Sequence, residues 1–136
     1  MFLWLYVLTA LIVVVGVLLQ AFSIAAYVRG AGQDALDMHK TVGFITHSVE
    51  IVVFLVALVG YWRMWRRLWL PFLLPVVGTF QLLVIGDTDK TGGWVNGLHG
   101  LFALIVLLLA TALVQDGTRS LRASADLPSR PSEGTA

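Results

Sequence analysis

The sequence predicts an all-α integral membrane protein, a four-helix bundle with up-down-up-down topology and both termini on the cytoplasmic side. Three observations predict this fold: the apolar composition, four long apolar stretches and an uneven distribution of arginine. Of the 136 residues, 58% are hydrophobic and only 12% are charged, whereas a soluble domain is typically about 45–50% apolar and about 25% charged. The composition excludes an ordinary soluble domain and indicates a multi-pass protein of the plasma membrane.

Each apolar stretch meets or approaches the length that a membrane helix needs. We expect helices at about residues 2–28, 38–62, 68–85 and 94–114, within a transmembrane domain of residues 1–115. A helix of roughly 20 apolar residues crosses the hydrocarbon core, and it satisfies its own backbone hydrogen bonds in lipid. The first stretch has no basic residue before its apolar run and exceeds the length of a signal-peptide core, so we expect it to be retained.

Polar segments separate and follow these stretches. The linkers RGAGQDALD, RMWRR and GDTDKTGG are short, as expected between antiparallel neighbours in a bundle. Residues 116–136 are polar and rich in serine, proline and alanine. This composition predicts a short helical extension and then a disordered cytoplasmic tail.

Arginine is concentrated in the second linker and in the tail. The residues are Arg63, Arg66 and Arg67 in the linker and Arg119, Arg122 and Arg130 in the tail. The first and third linkers instead combine aspartates with isolated basic residues. Because cytoplasmic loops of membrane proteins carry the excess of lysine and arginine, both termini and the second linker are predicted to be cytoplasmic.

Two classes of function are excluded by what the sequence lacks. It contains no cysteine, which excludes disulfides, thiolate metal sites and cysteine catalysis. No basic cluster with interleaved aromatic residues indicates a nucleic-acid partner. The lipid bilayer is therefore the first partner that the composition predicts.

Ionisable side chains inside the predicted spans are the candidate functional residues, because such groups are costly in a membrane. They are His47, Glu50 and His99, with His39 at the edge of the second span. His39 and Glu50 lie eleven residues apart, close to three helical turns, so they share one face of the helix. A polar stripe of this kind is expected to face the interior of the bundle.

Two neutral histidines on different helices can supply both axial ligands of a haem iron. The sequence thus suggests a b-type haem in the outer half of the bundle, ligated by His99 and by either His39 or His47. Gly43 and Gly100 would leave room for a flat macrocycle beside the histidines. The alternative is that each histidine only hydrogen-bonds a polar partner on a neighbouring helix, such as Gln81 or Gln20.

His47 and Glu50 are three residues apart, a spacing at which helical side chains meet. A shared hydrogen bond would reduce the cost of burying both groups. The pair is therefore predicted to be either a structural polar couple or a proton relay.

Two segments carry a resemblance to a known family. HKTVG at residues 39–43 and FQLLVIGDTDKTGGWVNGLHGLFALIVLLLA at residues 80–110 resemble the second to fourth helices of one half of haem A synthase. The chain is also similar to small four-helix membrane proteins of unassigned function. The resemblance covers about residues 5–114 and implies a lone four-helix half, so that two cofactors would require a homodimer.

The resemblance also implies roles for particular residues. It favours His39 and His99 as the axial ligands over His47. Lys40 stands where the family has an arginine and would meet a haem propionate, with Arg29 as a second candidate. Oxidation of a haem methyl group by this chain alone is not expected, so any enzymatic role would be that of an oxidoreductase component.

We therefore expect an electron-transfer or haem-handling protein that binds haem b. The alternative is an accessory subunit, without chemistry of its own, in a larger respiratory-type membrane complex. A third possibility is an apolar small molecule such as a quinone, bound between the helices beside His47 and Gln81. Electron transfer and haem handling would both require a redox partner or a larger complex.

Overall fold

The computed structural model describes residues 1–85 and 93–126, with side chains described for residues 1–83 and 97–126. It is all-helical, with four α-helices in these ranges. They are α1 (Phe2–Val28), α2 (Gln33–Tyr61), α3 (Trp65–Ile85) and α4 (Gly93–Ala125). The predicted all-α class and the presence of four helices are therefore confirmed.

Three of the helical segments are long and apolar enough to cross a membrane. They are Phe2–Val28, Gln33–Tyr61 and Gly97–Ala125. The third predicted span, at about residues 68–85, corresponds to α3. The side chains of its last two residues, 84 and 85, lie outside the described residues. The finding supports the prediction of a membrane protein through α1, α2 and α4.

Both α2 and α3 begin before the apolar runs from which their starts were predicted. α2 begins at Gln33, where the run predicted a start near residue 38, and the side chain of Gln33 donates a 3.1 Å hydrogen bond to Asp37 one turn later. α3 begins at Trp65, where the run predicted a start near residue 68. Polar residues extend these helices beyond their apolar spans, because helix formation does not require hydrophobicity.

α4 continues well past the apolar run that was predicted to end near residue 114. It ends at Ala125, so the predicted helical extension spans the first part of the segment 116–136. Hydroxyl groups in the extension bond back to carbonyls one turn earlier, from Thr118 to Val114 and from Ser124 to Ser120. Residues 86–92, which hold most of the third linker, and the tail at 127–136 lie outside the described residues.

Each helix packs against two others. α1 contacts α2 and α4, and α3 contacts the same two helices. Small and branched apolar side chains form the core between them. The buried core residues are Tyr6, Ala10, Val13, Val17, Val53, Ala57, Tyr61, Leu68, Leu74, Val106, Ala110 and Leu113.

Aromatic rings close the end of the molecule where α1 begins and α2 ends. The ring of Tyr61 meets Phe2 edge-to-face at a centroid distance of 5.1 Å and Tyr6 at 5.9 Å. The guanidinium of Arg67 lies 5.4 Å from the centre of the Tyr61 ring. The aromatic–aromatic pairs add about 0.5–1.5 kcal/mol each beyond the burial of their surface.

A close approach of α1 and α2 depends on Gly16. A Cβ atom at this position would collide with the hydroxyl and methyl groups of Thr46. The Thr46 hydroxyl cannot move away freely, because it donates a 2.7 Å hydrogen bond to the carbonyl of Val42. Small residues at helix contacts allow this kind of backbone approach in membrane proteins.

The outer surface of the molecule is apolar, with many large side chains exposed. Phe22, Phe44, Val59, Leu104 and Leu108 are each more than half exposed. A soluble protein rarely presents so continuous an apolar surface to water. The exterior is compatible with contact with the lipid bilayer.

We expect Gly16→Val to destabilise the fold by about 1–3 kcal/mol, the usual cost of overpacking, because the new side chain forces α1 away from Thr46. Gly97→Val is the matched control, since no described atom lies close enough to Gly97 to meet a Cβ there. The free energy of unfolding in mixed micelles measures both changes. Equal effects of the two substitutions would contradict the close approach of α1 and α2.

Candidate functional site

A cavity of about 880 Å³ lies within the helices and is partly open to the exterior. All three histidines line it, together with several other polar residues from α1, α2 and α3. The polar lining residues are Gln20, Tyr27, His39, Lys40, His47, Glu50, Gln81 and His99. The rest of the wall is made of apolar side chains and two glycines, namely Val17, Ile24, Leu36, Gly43, Phe44, Gly78 and Leu82.

His39 of α2 and His99 of α4 lie beside each other in this cavity. Their ring centroids are 6.0 Å apart, and the ring planes are inclined at 73°. Both rings are half-buried. The structure thus brings together the two histidines that the resemblance to haem A synthase favours.

Each of these two rings is held by a backbone carbonyl of a neighbouring helix. His39 Nδ1 lies 3.0 Å from the carbonyl oxygen of Gln20 in α1. His99 Nδ1 lies 3.4 Å from the carbonyl oxygen of Gln81 in α3. A carbonyl only accepts hydrogen bonds, so Nδ1 carries the proton in both rings.

The tautomer determines what the two histidines can do. With the proton on Nδ1, the Nε2 atom of a neutral imidazole keeps its lone pair and is free to bind a metal. Metal-bound histidines almost always donate their second ring N–H to a carbonyl, a carboxylate or water, which fixes the orientation of the ring. His39 and His99 both have this arrangement.

The sequence predicted Gln20 and Gln81 as alternative partners of the histidines. Both residues are indeed the partners, but through their backbone carbonyls rather than through their side-chain amides. The interhelical hydrogen bonds leave the second nitrogen of each ring as the atom that could bind a metal. The two interpretations of the histidines do not exclude each other.

His47 is paired with Glu50 instead of with another histidine. His47 Nδ1 lies 2.9 Å from Glu50 Oε2, and the Glu50 residue is only 3% exposed. Gly78 of α3 makes this packing possible, because a Cβ there would collide with the carboxylate and with the imidazole. Sequence reasoning missed Gly78, since nothing in its local pattern reveals which side chains pack against it.

The remaining predicted residues fall into two groups. Lys40 and Gly43 line the cavity, and the site of a Cβ on Gly43 lies 3.1 Å from the side-chain oxygen of Gln20. Arg29 is exposed after the end of α1 and does not line the cavity. Gly100 is also exposed, outside the cavity wall, with no described atom within 4 Å of a Cβ built on it. Neither Arg29 nor Gly100 therefore lines the cavity.

Within the described part of the chain, no group of three or more histidine, aspartate or glutamate side chains is placed to hold a metal ion. A metal bound through protein side chains alone usually needs three or four ligands. A haem iron needs only one or two axial ligands from the protein.

We expect His47 and Glu50 to be energetically coupled, because removing either partner leaves the other buried without its hydrogen bond. A double-mutant cycle with His47→Ala and Glu50→Ala should give a coupling of about 0.5–3 kcal/mol in the free energy of unfolding. A cycle that pairs His47→Ala with Ser48→Ala is the control, since the Ser48 hydroxyl bonds only to its own helix at Phe44. Additive effects in the first cycle would show that the pair is not formed.

Comparison with known proteins does not assign this chain to a family. The similarity to haem A synthase is a pattern of few fixed residues along the second to fourth helices, and it remains an expectation from sequence. The function is therefore argued from the cavity and its side chains. No protein-family model, curated protein or solved structure matches this chain.

Proposed function

We propose that this protein binds a b-type haem in the membrane, with His39 and His99 as its two axial ligands. Its role is electron transfer or haem handling, and the redox partner comes from a second copy of the chain or from a larger membrane complex. One observation carries the proposal. Two histidines on different helices meet in one cavity, each with Nδ1 engaged by a backbone carbonyl.

The spacing of the two rings supports ligation of a single metal atom. If both Nε2 atoms lie about 2.0 Å from a metal on opposite sides, the two ring centres are about 6 Å apart. The observed separation of the centroids is 6.0 Å. His47, by contrast, is bonded to Glu50.

The cavity has the chemistry that a porphyrin needs. Its volume of about 880 Å³ lies within the range of about 300–1,000 Å³ found for ligand pockets. The apolar walls suit the faces of the ring. Lys40 is exposed at the cavity wall, where its ammonium group can pair with a propionate as a point charge.

A bound haem supplies one-electron redox chemistry, and the chain's own residues bind and orient it. The backbone carbonyls fix the histidine rings, and the apolar wall residues would contact the faces of the macrocycle. We assign no role in binding to Arg29 or Gly100, and no catalytic role to the chain alone.

We expect the purified protein, made with adequate haem supply, to have a sharp Soret band and resolved α and β bands after reduction with dithionite. His39→Ala and His99→Ala should each abolish the six-coordinate spectrum, because each removes one axial ligand. His47→Ala is the matched control and should retain it. Visible absorption of oxidised and reduced samples makes the comparison.

A featureless spectrum would overturn the haem proposal. The protein would then be better explained as an accessory subunit of a larger membrane complex. A spectrum that survives His39→Ala but is lost in His47→Ala would instead move the axial ligand to His47.

We also propose up-down-up-down topology in the plasma membrane, with both termini cytoplasmic and the cavity in the outer half. Two contacts support opposite directions for α1 and α2. Phe2 meets Tyr61 at one end, and the Gln20 carbonyl meets His39 near the other end. The arginines of the second linker and the tail support the assignment of the sides.

The absence of cysteine makes this topology easy to test. In intact cells, a membrane-impermeant maleimide should label Ala31→Cys, in the loop after α1, but not Ser124→Cys, near the end of α4. Both positions are exposed, so disruption of the membrane should make both reactive. Labelling of Ser124→Cys alone in intact cells would reverse the orientation.

A further inference from the structure

The cavity has a second polar end that the haem proposal does not use. Glu50 lies eleven residues after His39, which is about 16 Å along the helix axis at 1.5 Å per residue. His47, Glu50 and Gly78 pack together in this part of the cavity wall. The His47–Glu50 pair is therefore distinct from the axial pair.

A carboxyl group in the middle of an apolar helix is costly and usually functional. The Glu50 side chain is 4% exposed and the His47 side chain 18% exposed, and both line the cavity. Their mutual bond uses one carboxylate oxygen and one ring nitrogen. The second carboxylate oxygen and the second ring nitrogen are the groups with which the pair can meet a ligand.

The pair can accept or donate a hydrogen bond according to its proton content. When Glu50 is ionised and His47 neutral, both remaining atoms are acceptors and suit the hydroxyl group of a ligand. One further proton on the imidazole turns Nε2 into a donor, which suits a carbonyl group. A ligand whose oxygen alternates between hydroxyl and carbonyl is the best match to such a pair.

The surroundings of the pair select an apolar ligand. Val17 and Leu82 are apolar wall residues, and Phe44 on the same wall is 71% exposed on the outer surface of the molecule. The wall is thus continuous with the apolar exterior, through which a molecule dissolved in lipid can enter. A fatty acid would bring a second carboxylate toward Glu50, and a sugar or nucleotide is too polar for these walls.

We infer that Glu50 and His47 form the headgroup site for a lipid-soluble quinone or quinol. The carboxylate and the imidazole bond the ring oxygen, and the apolar walls hold the ring and the start of its tail. The site uses neither His39 nor His99.

Binding of decylubiquinone to the full-length protein in lipid nanodiscs tests the inference. Calorimetric titration, with empty nanodiscs subtracted, should give saturable binding to the wild type. Glu50→Leu and His47→Leu should each weaken it by about tenfold or more, as expected for the loss of a buried polar contact. Ser48→Ala is the control and should bind as the wild type does.

The outcomes separate this site from the haem site and from other ligands. Wild-type affinity in Glu50→Leu and His47→Leu, or uptake no greater than that of empty nanodiscs, would overturn the inference. If Glu50→Leu fails to fold, His47→Leu alone decides. Displacement of the probe by oleate, with sensitivity to Lys40→Ala and not to His47→Leu, would overturn it in favour of an anionic amphiphile. Quinone binding without a haem spectrum would leave this site intact and remove only the haem proposal.

Discussion

The hydrogen bonds from His39 and His99 to backbone carbonyls of neighbouring helices are the interactions on which the site depends. They connect α2 to α1 and α4 to α3, so all four helices contribute to the position of the two rings. They also fix the proton on Nδ1 and leave the opposite nitrogen of each ring available. A polar group inside a membrane protein needs a partner within the protein, and here backbone carbonyls of neighbouring helices are the partners.

Glycine determines where the helices come close enough for these contacts. Gly16 lets α1 approach Thr46, and Gly78 lets the His47–Glu50 pair pack against α3. In lipid, association of helices relies on van der Waals packing and interhelical hydrogen bonds rather than on exclusion of water. The same short separations that stabilise the fold also shape the two polar ends of the cavity.

The sequence was sufficient to predict the all-α class, the four helices and the fact that α1, α2 and α4 are long and apolar enough to cross a membrane. Hydrophobicity determines these features directly, because the length of an apolar run must match the bilayer. The helix ends at Gln33, Trp65 and Ala125 were not predictable from hydrophobicity, since polar residues extend a helix beyond its apolar run. Sequence spacing predicted the meeting of His47 and Glu50, as local contacts on one helix follow from periodicity.

Contacts between helices were harder to predict. The carbonyls that hold His39 and His99 belong to the backbone, so no residue type reveals them. Gly100 was expected beside the ring but does not line the cavity, whereas Gly78 was overlooked and lies in its wall. Which of two glycines faces a site depends on the rotation of its helix against its neighbours, and that rotation is set by packing of the whole bundle.

Electron paramagnetic resonance of the ferric protein tests most directly whether His39 and His99 together ligate a haem iron. Ligation by both imidazoles predicts a low-spin signal in the wild type and in His47→Ala. It also predicts loss of that signal, with appearance of a high-spin signal or of no haem signal, in His39→Ala and in His99→Ala. A wild-type sample without a low-spin signal, or a low-spin signal that persists in both single variants, would contradict the assignment.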